Sequence, residues 1–398
     1  MATGLTLLAL ELGSRAIVEP STVSSGRLLG VELPPFALLP SGVRETGSEP
    51  GAREGRHVGS GPLTVGDLWG FKVPDPELTY TTPPSTTSAN GWWRTNALGA
   101  RSDRETSSVP PEGKRRVLVF GESYAAGSRL RGDETWTAAL ESLAGRLEVV
   151  NLAVDGYSMA QAFLRYRRVR NLVAYDAVVL VIVPEVDLWR DVNVRRYLGE
   201  RWPGTVLMPR FALGPEGLQL VAAPVFGAAD SRAKRSDAVL AHLRAHDAFY
   251  VPVAFRPPPV IGGSLLYRLG AAGFLEAHRR HVMASASDPD GQAVRVTTAI
   301  VSAMRADVES RGARFALIVA PAAETLARGT APFEDRAKWD RVTGLLCAAA
   351  GDCLDALAAS DGADSAGFDY GHDGTHYGPR TSRWLAAVVL KNLPDLGG

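Results

Sequence analysis

A serine early in the chain and an acid–histidine pair near its end are the residue types from which a nucleophilic site is built. The stretch "VLVFGESYAAG" (Val117–Gly127) runs from an apolar segment into Gly121 and then sets Ser123 among small residues. If the apolar segment is a buried strand and a helix follows, backbone N–H groups converge on that hydroxyl. A serine so placed either attacks an electrophile or caps the helix, and the stretch alone leaves both open. Far downstream, "FDYGHDGTHYG" (Phe368–Gly378) places Asp373 and His376 three apart, on one side of a turn. A carboxylate there would hold the imidazole in the tautomer that accepts a serine proton. Asp369 and His372 repeat the spacing and form a rival pair.

The elements that must position these residues begin at about residue 115. Residues from about 20 to 114 are rich in Gly, Pro, Ser and Thr, as in "LPSGVRETGSEPGAREG", and read as loops and short strands. Beyond them β-branched runs alternate with helical patterns, the sign of a parallel sheet with crossover helices. Core strands are expected at Arg116–Phe120, Leu147–Ala153, Ala177–Val183, Phe315–Ala320 and near Cys353–Leu357. Helices are expected at Thr135–Ala144, Ser158–Leu172, Val294–Ser310, Asp335–Ala350 and over the closing "TSRWLAAVVLKNL". These give an α/β, three-layer α/β/α, flavodoxin-like fold on a five-stranded parallel sheet. Residues 1–114 read as an N-terminal extension and 115–398 as the catalytic domain. An insertion of about 190–295 holds a hairpin in "RFALGPEGLQLVAAPVF" and is expected to act as a lid.

Composition narrows the function. Lys plus Arg and Asp plus Glu number 43 each, with neither sign gathered into long runs. Nucleic acid and other polyelectrolyte partners are therefore not expected, and a small or neutral ligand is. The Lys-Ser/Thr of a phosphate-binding loop is missing after Gly121. Glu276, His278 and His281 in "EAHRRH" lack a third-ligand pattern and read as a solvated helix face, so neither metal nor cofactor is expected. The arginines of "FLRYRRVRNL" (Phe163–Leu172) read as the outer side of a crossover helix. In "WWRTN" (Trp92–Asn96) one tryptophan is expected in the core, and a sugar-stacking role is the sharper alternative. Cys347 and Cys353 are expected as two core thiols, with a bridge only if the protein is exported. The N-terminal "MATGLTLLALELGSRAIVEP" is too short an apolar run to span a bilayer. Localisation is cytoplasmic as the sequence stands, and exported or membrane-anchored if that run is a trimmed anchor.

Together "GESYAAG", "NLAVDGYS" and "DGTHYG" resemble the SGNH/GDSL hydrolase superfamily, in order and spacing, from Arg116 to Leu385. Upstream, "TNALGARSD" (Thr95–Asp103) is similar to an N-x-x-G-x-R segment found in many bacterial members. The resemblance implies Ser123 as nucleophile, His376 as general base and then acid, and Asp373 as its orienting partner. It also implies an oxyanion hole from the N–H groups of Ser123 and Gly156. Two departures stand out. Glu122 replaces the aspartate before the nucleophile, and Val186, in "PEVDLWRD", replaces the asparagine of the third block. Valine donates no hydrogen bond, so Val186, Asp187, Arg190 and Asn193 become candidates for shaping the substrate site, with Arg190 or Asn193 as replacement donor. The expected activity is serine-dependent hydrolysis of an acyl ester, on a small-molecule or glycan substrate, through an acyl-enzyme. Acyl transfer to a sugar, polysaccharide or biosynthetic intermediate is the alternative, and a non-catalytic binding protein the lesser one.

Overall fold

The computed structural model describes residues 17–21, 24–36, 71–195, 207–224, 232–329 and 332–396. Most of the N-terminal apolar run and all of "LPSGVRETGSEPGAREG" lie outside the described residues. Five segments form one parallel sheet: β1 (Arg115–Phe120), β2 (Leu147–Asn151), β3 (Ala177–Ile182), β4 (Arg314–Val319) and β5 (Cys353–Asp355). Their spatial order is β5-β4-β3-β1-β2. Every residue of β3 is buried, as are Val117–Phe120 of β1, which is why these strands read as continuous apolar runs with no alternation. Each such Val, Leu or Ile contributes about 1.5–3 kcal/mol of hydrophobic stabilisation.

Helices cover both faces. Trp136–Leu143 packs against Pro379–Asn392, while Met159–Val169, Gln292–Ser310 and Arg336–Ala350 pack side by side. Right-handed crossovers place these two groups on opposite faces of the sheet, which makes three layers. The helix after β2 starts at a capping box, with Ser158 and Gln161 bonding each other's backbone N–H. The final helix starts at Pro379, where a missing N–H costs nothing.

Two expectations are corrected. Arg165 is not on an outer face: it is 3% exposed and its Nη2 donates to Thr82 Oγ1 (3.1 Å) and Gly99 O (2.9 Å). Residues before the sheet cover this helix, with Gln161 Nε2 donating to Leu78 O (2.7 Å), Tyr157 Oη to Tyr80 O (2.8 Å) and Arg168 paired to Asp75 and Glu77. Cys347 and Cys353 are joined by a disulfide and are not free thiols. The end of the helix Arg336–Ala350 and the start of β5 bring their Cα atoms to 5.2 Å, a distance that a bridge spans.

The chain divides into two compact units. The larger comprises Gly51–Val192, Pro209–Val221 and Ala286–Gly398, and holds the sheet and the antiparallel hairpin Arg210–Gly214 with Gly217–Val221. The smaller comprises Met1–Pro50, Asn193–Met208 and Ala222–Ser285. It is built on the helices Arg232–His246 and Leu265–Ala286, around a core of Val194, Leu207, Val239, Leu240, Leu243 and Leu275. Among the described residues no helix is long and apolar enough to cross a membrane.

Candidate active site

The site is assembled where β1 ends. Gly121 has φ 146°, and a Cβ there would lie 2.7 Å from both Ala125 Cβ and the Val181 carbonyl oxygen of β3. Only glycine lets the chain leave the sheet at this point. One helical turn, Ser123–Ala126, follows. Glu122 caps it, its Oε1 accepting the Tyr124 N–H at 2.7 Å, and Gly127 closes it at φ 68°. Arg101 braces the turn from outside: Nη1 donates to Ala126 O (2.7 Å) and Gly127 O (2.6 Å), and Nη2 to Leu130 O (2.5 Å). The Arg101 N–H also bonds Asn151 O at the end of β2 (2.7 Å). The N-x-x-G-x-R segment is thus a strap on the turn that carries Ser123. With β1 flanked by β2 and β3, the turn sits where the strand order reverses, the usual ligand position in such sheets.

Ser123, His376 and Asp373 meet there. His376 Nε2 lies 2.8 Å from Ser123 Oγ, and Nδ1 lies 2.6 Å from Asp373 Oδ2. With Nδ1 donating to the carboxylate, Nε2 faces the serine as an acceptor. Asp373 Oδ1 also accepts the N–H groups of Thr375 (3.0 Å) and His376 (3.1 Å), and Oδ2 accepts the Thr375 hydroxyl (2.8 Å). Burial raises the Asp373 carboxyl, but hydrogen bonds from His376 and Thr375 outweigh it and hold the group well below the usual carboxylate range. Ser123 is 4% exposed and the His376 side chain 20%, so the imidazole forms the more open wall. The rival pair is not assembled: Asp369 caps the final helix by accepting the Arg380 and Thr381 N–H groups, and His372 packs on Trp92 with ring centroids 4.7 Å apart.

Three contacts gave no sequence signal. Tyr124 Oη donates to Thr375 O (2.9 Å) while its ring lies 4.9 Å from that of His376, which ties the histidine loop to the nucleophile turn. Glu122 Oε2 accepts the Ser123 hydroxyl. Arg129 places Nε 3.4 Å from Asp373 Oδ2. The Tyr124 and Arg129 contacts join residues more than two hundred positions apart, which spacing does not reveal, and Arg129 looks no different in sequence from Arg131, which is exposed and paired with Asp133.

The second block is a buried turn, Val154–Tyr157, with Gly156 at φ 81°. The third is the short helix Pro184–Asp187 after β3, and here the candidates separate. Val186 is half-buried. Asp187 is fully buried, accepts the Val183 N–H (2.8 Å) and pairs with Arg190 (3.1 Å). Arg190 is buried too, donating to Tyr157 O (3.2 Å) and lying 3.7 Å from Glu122 Oε2. Asn193 Oδ1 accepts the Phe249 N–H (3.0 Å) within the smaller unit. Asp187 and Arg190 therefore pair with each other in a buried floor next to Glu122, where burial and the Glu122 charge push the Asp187 carboxyl well up, and Asn193 is bonded within a different core. Glu185 accepts the Ala322 N–H (2.6 Å) and the Thr325 hydroxyl (2.8 Å), and burial pushes its carboxyl up.

Among the described residues no group of three or more His, Cys, Asp or Glu is arranged to hold a metal. Glu276 is taken up by Arg279 and Arg280, and His278 bonds the Ala248 carbonyl. Trp93 is core, under the Arg101 guanidinium at 4.0 Å. Trp92 is half-exposed and helps to line a polar cleft of about 930 Å³ with Arg94, Arg104, Lys114, Arg131 and Glu141.

No family model matches the chain, and neither does any curated protein. Among solved structures it is similar to TesA (14% identity, 71% of this chain and 99% of that one, TM-score 0.36). It is also similar to a putative SGNH hydrolase from Slackia heliotrinireducens (14%, 70% and 99%, 0.32) and to the lipase/acylhydrolase from Enterococcus faecalis (12%, 71% and 96%, 0.34). At such identities and TM-scores the likeness carries no weight for activity. Sheet order defines the fold, and the side chains must define the chemistry.

Proposed function

We propose that this chain is a serine-dependent acyl-ester hydrolase of the SGNH type. The observation that carries the reading is the continuous hydrogen-bonded row Ser123–His376–Asp373, drawn from positions 253 residues apart in sequence. Ser123 Oγ attacks the acyl carbonyl as His376 Nε2 takes its proton, and the Asp373 carboxylate stabilises the resulting imidazolium. The N–H groups of Ser123 and Gly156 receive the oxyanion. Collapse breaks the ester C–O bond, and the leaving alkoxide takes the proton from His376. Water then attacks the acyl-Ser123 carbonyl with His376 again as base, releasing the acid and restoring the serine. No cofactor enters these steps.

Transfer to a hydroxyl acceptor is the second reading: the half-exposed Trp92, whose ring rests on His372, next to Asp373 in sequence, offers a flat face on which a polyol can stack. It differs only in which O–H group meets the acyl-enzyme. Both readings are tested by turnover of a p-nitrophenyl ester with and without a polyol. Ser123→Ala and His376→Ala should each lose about 10³-fold or more in kcat. Wild-type rates in either variant would overturn the reading, and acylated polyol as the main product would replace hydrolysis by transfer.

A further inference from the structure

We propose that Arg129 is a positioning residue for the acid–base pair, fixing the Asp373 carboxylate and through it the aim of His376 at Ser123. This rests on the triad reading above. Arg129 adopts φ 67°, a left-handed conformation that a long side chain rarely takes unless its surroundings impose it. Its side chain is only 9% exposed, and a buried guanidinium requires a counter-charge. Asp373 is the anion it meets, at 3.4 Å from Nε. Neither Nε nor Nη1 has a hydrogen-bond partner among the described residues, so Arg129 acts on Asp373 by charge and packing and not by a direct hydrogen bond.

The stem of Arg129 also lies against the loop that presents the pair. A Cβ built on Gly371 would be 3.4 Å from Arg129 Cβ and 3.2 Å from the Tyr377 carbonyl oxygen, so no side chain separates the arginine from that loop. Asp373 Oδ2 therefore has His376 Nδ1 and the Thr375 hydroxyl as donors and the Arg129 charge beside them. Without that charge the aim of Asp373 rests on its hydrogen bonds from Thr375 and His376 alone, and a misaimed imidazole of about 1 Å is enough to lower the rate 10²-fold. Arg129 acts through Asp373 and not on the acyl group, so the effect belongs in kcat and not in KM.

The test is steady-state turnover of a p-nitrophenyl ester by the full chain. Arg129→Met, which keeps the bulk and removes the charge, should lose about 10- to 100-fold in kcat with KM changed less than about two-fold. Arg129→Lys should recover most of it. In an Asp373→Ala background, Arg129→Met should cost nothing further, because the arginine acts through that carboxylate. Wild-type kcat in Arg129→Met, or an equal loss in the Asp373→Ala background, overturns the proposal. Should Arg129→Met not fold, Arg129→Lys read with and without Asp373→Ala gives the same comparison, a partial loss confined to the Asp373 background being the expected result. Full turnover in Ser123→Ala would overturn the triad reading itself, whereas loss there with wild-type kcat in Arg129→Met overturns only the role of Arg129.

Discussion

The Ser123 hydroxyl carries one proton and has two acceptors in reach, His376 Nε2 and Glu122 Oε2. Attack requires the proton to point at the imidazole. Glu122 is fully buried 3.7 Å from Arg190, which in turn pairs with Asp187, and burial together with the Glu122 charge pushes the Asp187 carboxyl well up. Val186 offers no side-chain donor at the position where the resemblance implies an asparagine. Loss of one such donor typically costs about 10²- to 10³-fold. Val186→Asn is accordingly expected to raise kcat on an aryl ester at least several-fold. An unchanged kcat would mean that the hole is already filled by another group.

At the scale of elements, Asp191 ties three pieces together. It accepts the Thr297 hydroxyl (2.7 Å) from the helix Gln292–Ser310 and the Ala160 N–H (3.3 Å) from the helix Met159–Val169, while sitting in the turn after β3. Burial raises its carboxyl to about 6, against the ordinary 3.8, despite those hydrogen bonds. The folded state keeps the proton longer than the unfolded one, so stability is lost as pH rises from about 3.8 to about 6. Two pKa units correspond to about 3 kcal/mol. Asp191→Asn escapes this loss, and its stability relative to wild type should improve by up to that amount between pH 4 and pH 7, read from urea midpoints. A difference independent of pH would contradict the assignment. The elements themselves were largely legible. All five strands, the hairpin and the helices flanking the sheet announced themselves, because buried parallel strands are unbroken apolar runs and their helices carry caps and apolar stripes. The helix Arg232–His246 did not, and of Leu265–Ala286 only "EAHRRH" was read as a helix face. "RAKRSDAVLAHLRAH" has only Val239, Leu240 and Leu243 as large apolar residues, and "LLYRLGAAGFLEAHRRHVMASA" carries two glycines and no clean polar face. Within the site, spacing marked Asp373 and His376 only beside the rival Asp369 and His372, and left Ser123 open between helix cap and nucleophile; the resemblance chose among them. Arg129, Tyr124 and the Glu122–Arg190–Asp187 floor were not legible, since only the fold brings them together.

At the scale of the molecule, the candidate site belongs wholly to the unit that holds the sheet. Ser123 follows β1, Gly156 follows β2, Pro184–Asp187 follows β3, and Asp373 and His376 precede the last helix. Balanced charge over the whole chain leaves recognition to local chemistry and not to long-range attraction. The central claim is that Ser123 is a nucleophile activated by His376. It is tested most directly by treating the full chain with a fluorophosphonate and mapping the adduct by mass spectrometry. The account predicts one phosphonate on the peptide that contains Ser123, absent in Ser123→Ala and slowed at least 10²-fold in His376→Ala. No label on the intact protein, or undiminished labelling of Ser123→Ala, would contradict it.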